Sequence, residues 1–262
     1  MSNKRGQIAL IIIIALVIVI AVILILQLTG KNKAEKTEKI SLRYLDECFK
    51  QKLDLGVRVI GYSGGYYVNE SSLRINGWNI PYYYKDNKKS IPSKETVEKQ
   101  FEIFMEERFP LCVDDFKEKY PEWNISYKDF VVDVKISEDK LVASSKSKIQ
   151  LSKEDNSYFS DEFNAEFKIN LLKMLKASDE IVDSLDTEYY TICVECLDRI
   201  SSTYNIGITA TPSEEVQIIL FNLIDSSVKD YPYTYQFITE YRPNSTKMEN
   251  FIFDFLRNIE NE

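Results

Sequence analysis

The chain has 262 residues, 33 basic against 41 acidic side chains for a formal charge of −8, and no histidine. The missing imidazole excludes the commonest general base, the His-dependent nucleophile triads and His-ligated zinc, which leaves carboxylate or thiol chemistry. An acidic chain repels nucleic acid, so no DNA or RNA partner is expected.

From the amino terminus, Met1-Ser-Asn-Lys-Arg-Gly-Gln7 is a short basic head. It leads into Ile8–Leu26, nineteen residues without one polar or charged side chain. A helix of that length runs about 28 Å, close to the ~30 Å hydrocarbon core of a bilayer. Ile and Val would favour strand in water, but in lipid a lone span must satisfy its amides internally, and only a helix does so. Residues 8–28 therefore read as a transmembrane helix, with the bilayer as the expected partner, and 29–39 as a polar Lys/Glu-rich stalk. The remainder carries 31 basic against 41 acidic residues. Lys4 and Arg5 favour a cytoplasmic amino terminus, whereas Lys31, Lys33, Lys36 and Lys39 after the span oppose it. Two features favour an external domain. Sequons occur at Asn69, Asn124 and Asn244, and the cysteines are even in number. The expected localisation is the cell membrane, single-pass, with the C-terminal part outside.

After the stalk, Tyr44, Leu45, Cys48, Phe49, Leu53, Val57 and Ile60 fall at helical spacing, which predicts a helix from Ile40 that Gly61 and Gly64-Gly65 end. Trp78 to Ile91 predicts a hairpin about a Lys85–Lys89 turn. Ser93 predicts a helix N-cap with Glu95 in the first turn, and Val97, Phe101, Phe104, Met105 and Phe109 form its buried face. Pro110 is expected to stop that helix, with a shorter one over Val113 to Lys119. Phe130–Ile136, Lys140–Leu151 and Tyr158–Leu171 alternate as one three-stranded meander, with Phe159, Phe163 and Phe167 on one face. Helices over about Leu171–Leu185 and Glu188–Tyr204 follow. Ile206–Ala210, Val216–Leu223 and Tyr233–Tyr241 form a second meander, and Met248–Ile259 an amphipathic helical tail. The fold class is α+β: an N-terminal transmembrane helix continuing into an ectodomain of antiparallel meanders packed with helices. Two units, 40–185 and 186–262, or a single domain fit this pattern equally.

The cysteines are the one candidate chemistry. A Cys48–Cys112 disulfide would close a long loop and contribute roughly 4 kcal/mol, and a Cys193–Cys196 disulfide about half that. Four cysteines allow three pairings, and spacing does not choose among them. Four thiolates also suffice for zinc, although a second CxxC knuckle is missing. A dithiol redox centre at Cys193/Cys196 is the third reading, and free buried thiols the fourth. Asp114, Asp115 and Asp133 read as solvated surface. The Tyr82-Tyr83-Tyr84 run is a half-wet hairpin face or a carbohydrate-stacking platform. No catalytic residue, metal site or cofactor is expected.

The Lys4-Arg5-Gly6-Gln7 head before an apolar run resembles the class III signal peptide of archaeal type IV pilins, which implies cleavage between Gly6 and Gln7 with the apolar segment retained. The pattern departs at Ile11, where pilins usually carry Glu. More broadly the chain resembles a set of archaeal membrane-anchored surface proteins. The shared features are the head and span (Lys4 to Leu26), Cys48, Gly64 to Tyr66, Ile80 to Tyr83, Pro110 to Cys112, and Cys193 with Cys196. That resemblance implies a cell-surface protein and no particular activity. The leading functional reading is a single-pass surface protein with a disulfide-stabilised ectodomain, structural, adhesive or pilin-like, with self-assembly or other surface proteins as partners. Its rivals are a membrane-tethered thiol oxidoreductase using Cys193 and Cys196, and a carbohydrate-binding surface module.

Overall fold

The computed structural model describes residues 16–22, 42–69, 71–154, 156–160, 162–185, 192–213, 217–228 and 231–240. The stalk, Gly6 and Gln7, Asn244 and the 248–259 tail lie outside the described residues. The chain divides into two compact units, Met1–Glu47 and Cys48–Glu262. In the first unit, residues 16–22 and 42–47 are helical, and the side chains of Leu16 to Ile20 and Val22 are exposed. Among the described residues no helix is long and apolar enough to cross a membrane. The remainder of the 8–28 stretch lies outside them.

The second unit is α+β with mainly antiparallel sheets. It opens on α1 (48–62), followed by β1 (Ser72–Ile75), β2 (Trp78–Lys85), β3 (Lys88–Lys89) and α2 (Lys94–Lys119). Six strands come next: β4 (Asn124–Tyr127), β5 (Val132–Ile136), β6 (Lys140–Ser145), β7 (Ile149–Lys153), β8 (Asn156–Ser160) and β9 (Phe163–Lys168). Helices α3 (Leu171–Asp183) and α4 (Val194–Tyr204) precede β10 (Gly207–Ser213), β11 (Ile218–Asp225) and β12 (Tyr233–Glu240). The largest sheet runs β1-β2-β12-β11-β10, with β3 paired to β2. β12 pairs with β2 in parallel, and among the described residues every other strand pairing is antiparallel. The last described strand, β12, thus completes a sheet whose first strand is β1.

Helix α2 starts as the sequence predicts: Ser93 is extended and its hydroxyl accepts the Thr96 N–H at 3.2 Å. It does not stop at Pro110. The helix runs 26 residues with the proline inside it. An interior proline costs about 3 kcal/mol. Phe109, Val113 and Phe116 are fully buried on either side of it, and burying each contributes about 2 kcal/mol. Packing therefore outweighs the lost hydrogen bond, and Cys112, bonded to Cys48, holds the same turn in place.

The single meander expected over 130–171 is two three-stranded sheets, β5-β6-β9 and β4-β7-β8. The break falls at 146–148. Ser147 Oγ accepts the Val131 N–H at 2.8 Å and donates to Asp129 C=O at 3.0 Å, so the chain leaves β5's sheet there and enters β4's. Alternation survives the change of partner, since Leu141, Ala143, Ser145, Ser147, Ile149 and Leu151 are all buried. A second break between β8 and β9 turns Phe159 out to solvent at 61 % exposure while Phe163 is buried, so these two phenylalanines do not share an environment.

One face of α2 closes the edge of the β5-β6-β9 sheet. Glu98 accepts the Ile136 N–H at 2.8 Å, Glu102 the Val134 N–H at 3.4 Å, and Glu106 the Val132 N–H at 3.3 Å. The match is geometric. Four residues advance a helix about 6 Å, and two advance a strand about 6.6 Å, so every fourth side chain meets the next outward amide of the edge strand. The row satisfies donors that a free edge would offer to another chain. Glu98 is the buried member, with Lys94 and Lys135 nearby at 3.5 and 3.8 Å.

Glu98→Ala should therefore lower stability by about 1–3 kcal/mol by orphaning a buried N–H, while Glu98→Gln, which keeps an acceptor, should lose less. Urea midpoints at unchanged slope check this ordering. Gly64 provides a second test. It has φ +53°, and a Cβ there would sit 2.5 Å from Gln236 C=O and 2.6 Å from Pro81 Cγ. Gly64→Ala should cost about 2 kcal/mol or more in the same assay.

Candidate functional site

All four cysteines are paired, Cys48 with Cys112 and Cys193 with Cys196. This selects one of the three pairings. It also separates the four sulfurs into two pairs, rather than gathering them into one coordination sphere as the zinc reading requires. The bonds differ in every structural respect. Cys48–Cys112 spans 64 residues, joins α1 to α2, and is buried at both ends. Phe49 beside it packs on Phe109 and Phe163 at 5.6 and 6.0 Å between ring centroids, and Phe109 stacks on Phe130 at 4.1 Å. Loop closure on that scale contributes roughly 4 kcal/mol.

Cys193–Cys196 spans three residues. Cys193 is the N-cap of α4, with φ −75° and ψ 93°, and its sulfur accepts the Cys196 N–H at 3.2 Å. Sulfur takes the place of the usual hydroxyl or carboxylate cap. The helix then continues with the Leu197 N–H bonded to Cys193 C=O at 3.1 Å. Both cysteines are half-buried, and Val194 between them is 72 % exposed. Sequence spacing located this pair but missed the cap, because residues 186–191 show no strand–turn–helix pattern.

The tyrosine run alternates rather than forming a flat platform. Tyr83 is buried, stacks on Phe237 at 4.5 Å, and donates its hydroxyl to Gly64 C=O at 2.8 Å. Its oxygen then takes the Tyr235 hydroxyl at 2.5 Å, so the two phenols hang in series beneath the Gly64-Gly65 turn. Tyr82 and Tyr84 face the other side of β2 and are half-buried. Tyr82 packs against Ile80, Ile218 and Ile238, with Lys85 Nζ 4.6 Å from its ring centroid. Two sequons are at the surface: Asn124 is exposed on β4, and Asn69, half-buried, accepts the Ser71 N–H at 2.9 Å.

A constellation invisible in the sequence lines a cleft of about 430 Å³ formed by Arg58, Tyr62, Tyr231, Pro232, Tyr233 and Thr234. Asp54 and Arg58, one turn apart on α1, pair at 2.7 Å. The Tyr231 hydroxyl donates to Asp54 at 2.5 Å, and the Arg58 guanidinium lies 3.7 Å over the Tyr231 ring. Asp54 and Tyr231 are 177 residues apart, so no local signal announces the contact. With these groups satisfied by one another, the cluster acts as a tie between α1 and the segment entering β12. Comparison with protein families, with characterised proteins and with solved structures finds no match to this chain.

The tyrosines give the domain an alkaline limit. Burial, aided by the bond to Asp54, pushes Tyr231 up to about 12, and burial raises Tyr83, Tyr233 and Tyr235 as well. A phenol raised in the folded state contributes stability that is whole below its unfolded value near 10 and is lost as pH climbs through the folded value. Tyrosinate absorption should therefore continue to rise well above pH 10, with the ionisation of Tyr83, Tyr231, Tyr233 and Tyr235 accompanied by loss of circular dichroism. A single wave centred near pH 10 with the fold intact would contradict the assignment.

Proposed function

We propose that the chain is a single-pass, membrane-anchored cell-surface protein whose domain from Cys48 onward lies outside the cytoplasm as a disulfide-stapled structural or adhesive module. The observation that carries this reading is the use of all four cysteines in disulfides, one of them buried in the core at the α1–α2 contact. Such bonds form and persist where the compartment is oxidising, and thiols in the cytosol are kept reduced. The nineteen-residue apolar run at Ile8–Leu26 supplies the anchor, and the surface sequons at Asn69 and Asn124 fit an exported chain. The Lys4-Arg5-Gly6-Gln7 head adds the pilin-type processing reading, with the retained helix available for self-assembly.

The test is labelling of intact cells with a membrane-impermeant amine reagent, followed by mass spectrometry of the extracted protein with and without reduction. The expected result is label on lysines beyond residue 48, four cysteines blocked from alkylation until reduced, and a mature chain beginning at Gln7. Domain lysines labelled only after lysis, with four free thiols, would overturn the surface reading. An intact Met1 with external label would retain the anchor and remove the pilin-type processing.

A further inference from the structure

We propose that Cys193–Cys196 is an exchangeable disulfide that oxidises thiols presented by an extended polypeptide, a redox activity beyond the anchoring role. Three independent features separate this bond from a structural staple. It joins residues already held within one helical turn, so it constrains no distant part of the chain. Its two cysteines are only half-buried whereas the other disulfide is buried, and an attacking thiolate must reach sulfur along the bond axis. Finally, an amide already points at the sulfur that would carry charge, since Cys196 N–H lies 3.2 Å from Cys193 Sγ at the start of an eleven-residue helix. The helix dipole favours a thiolate in that place, while Glu195 in the first turn opposes it in part.

The exchange balances without a further cofactor. A substrate thiolate attacks Cys193 Sγ, forming a mixed disulfide as the Cys193–Cys196 bond breaks, and Cys196 Sγ leaves with the electron pair and takes a proton. A second substrate thiolate then attacks the substrate sulfur of the mixed disulfide and expels Cys193 as a thiolate, held by the Cys196 amide. The substrate loses two electrons and two protons to become a disulfide, and the protein gains them as two thiols. A low-molecular-weight disulfide of the oxidising compartment returns the pair to its oxidised form. Exposed Val194 provides an apolar rim beside the attacked sulfur, which suits an unfolded or extended peptide over a small charged thiol.

The experiment uses the full chain in detergent. It is equilibrated across reduced/oxidised glutathione ratios, quenched with an alkylating agent, and each cysteine is quantified by mass spectrometry. Cys193 and Cys196 should become alkylated at ratios where Cys48 and Cys112 stay blocked, with the midpoint ratios at least roughly tenfold apart. In parallel, the oxidised protein is mixed with a reduced two-cysteine peptide. One peptide disulfide should form per protein, and a Cys193→Ser/Cys196→Ser double variant with an unchanged circular dichroism spectrum should lose that oxidation. With a one-cysteine peptide, which lacks the second thiol that would expel Cys193, the Cys196→Ser variant oxidised by glutathione disulfide should instead hold a mixed disulfide between Cys193 and the peptide. If both native bonds open at the same ratio, or if the double variant oxidises the peptide as fast as the native chain, the proposal fails. Surface labelling decides the anchoring reading separately, since the glutathione titration does not depend on where the domain resides.

Discussion

The domain depends on α2 keeping its course through Pro110. That helix presents two sides, and the buried one needs its full length. On one, Phe101, Phe104, Met105, Phe109, Val113 and Phe116 are buried, and Cys112 is tied to Cys48 on α1. On the other, Glu98, Glu102 and Glu106 take the outward amides of β5. A break at the proline would swing Cys112 and Phe116 off the core. The glutamate row lies wholly N-terminal to the proline, so the missing amide falls just beyond the last carboxylate that meets the strand. Like charges four residues apart oppose one another on a helix. Here each carboxylate meets a backbone donor instead, and Lys99 and Lys135 lie against the row.

The second organising contact is the parallel pairing of β12 with β2. It places Tyr83, Phe237 and Phe221 in one stack across three strands, at 4.5 and 5.1 Å between centroids. Tyr83 and Tyr235 then reach the Gly64-Gly65 turn that ends α1. The turn needs glycine for two reasons at once, a positive φ and an approach to β12 too close for a Cβ. One hydroxyl chain thus couples the end of the first helix, the first long strand and the last described strand. A similar coupling runs at the surface through Asp54, Arg58 and Tyr231.

Local chemistry was legible from the chain and long-range choice was not. Ser93 as N-cap, the buried spacing from Val97 to Phe109, the Gly64-Gly65 stop and the three strands β10 to β12 all follow from signals within a few residues. The α+β class followed from them. The proline break was misread because a local cost was weighed without the burial of Phe109 and Phe116 that exceeds it. The two-sheet arrangement was missed because side-chain alternation reports which face is buried and is blind to which strand pairs with which. Leu141 through Leu151 keep one period while their partners change at Ser147. Asp54 with Tyr231 and β2 with β12 left no trace, since each joins residues more than a hundred apart. At the candidate site, the cysteines themselves were visible, while the cap that aims the Cys196 amide at Cys193 sulfur was not.

The contrast between the two disulfides bears on what kind of module this is. A domain with a sizeable core and a buried α1–α2 bond does not need a second bond three residues long for its architecture. α4 has Ile200 as its buried residue and meets α3 and β10 along its length, so closing its first turn adds little to packing. Sulfur at the N-cap is also a poorer acceptor than the oxygen of Ser or Asp, which would cap the helix more strongly. A position that gives up the better cap to hold a half-buried disulfide is better explained by the reactivity of that sulfur than by helix stability. The buried bond secures the domain, and its burial withholds it from exchange. The half-buried pair, confined to one helical turn, can open and close while the fold around it stays unchanged.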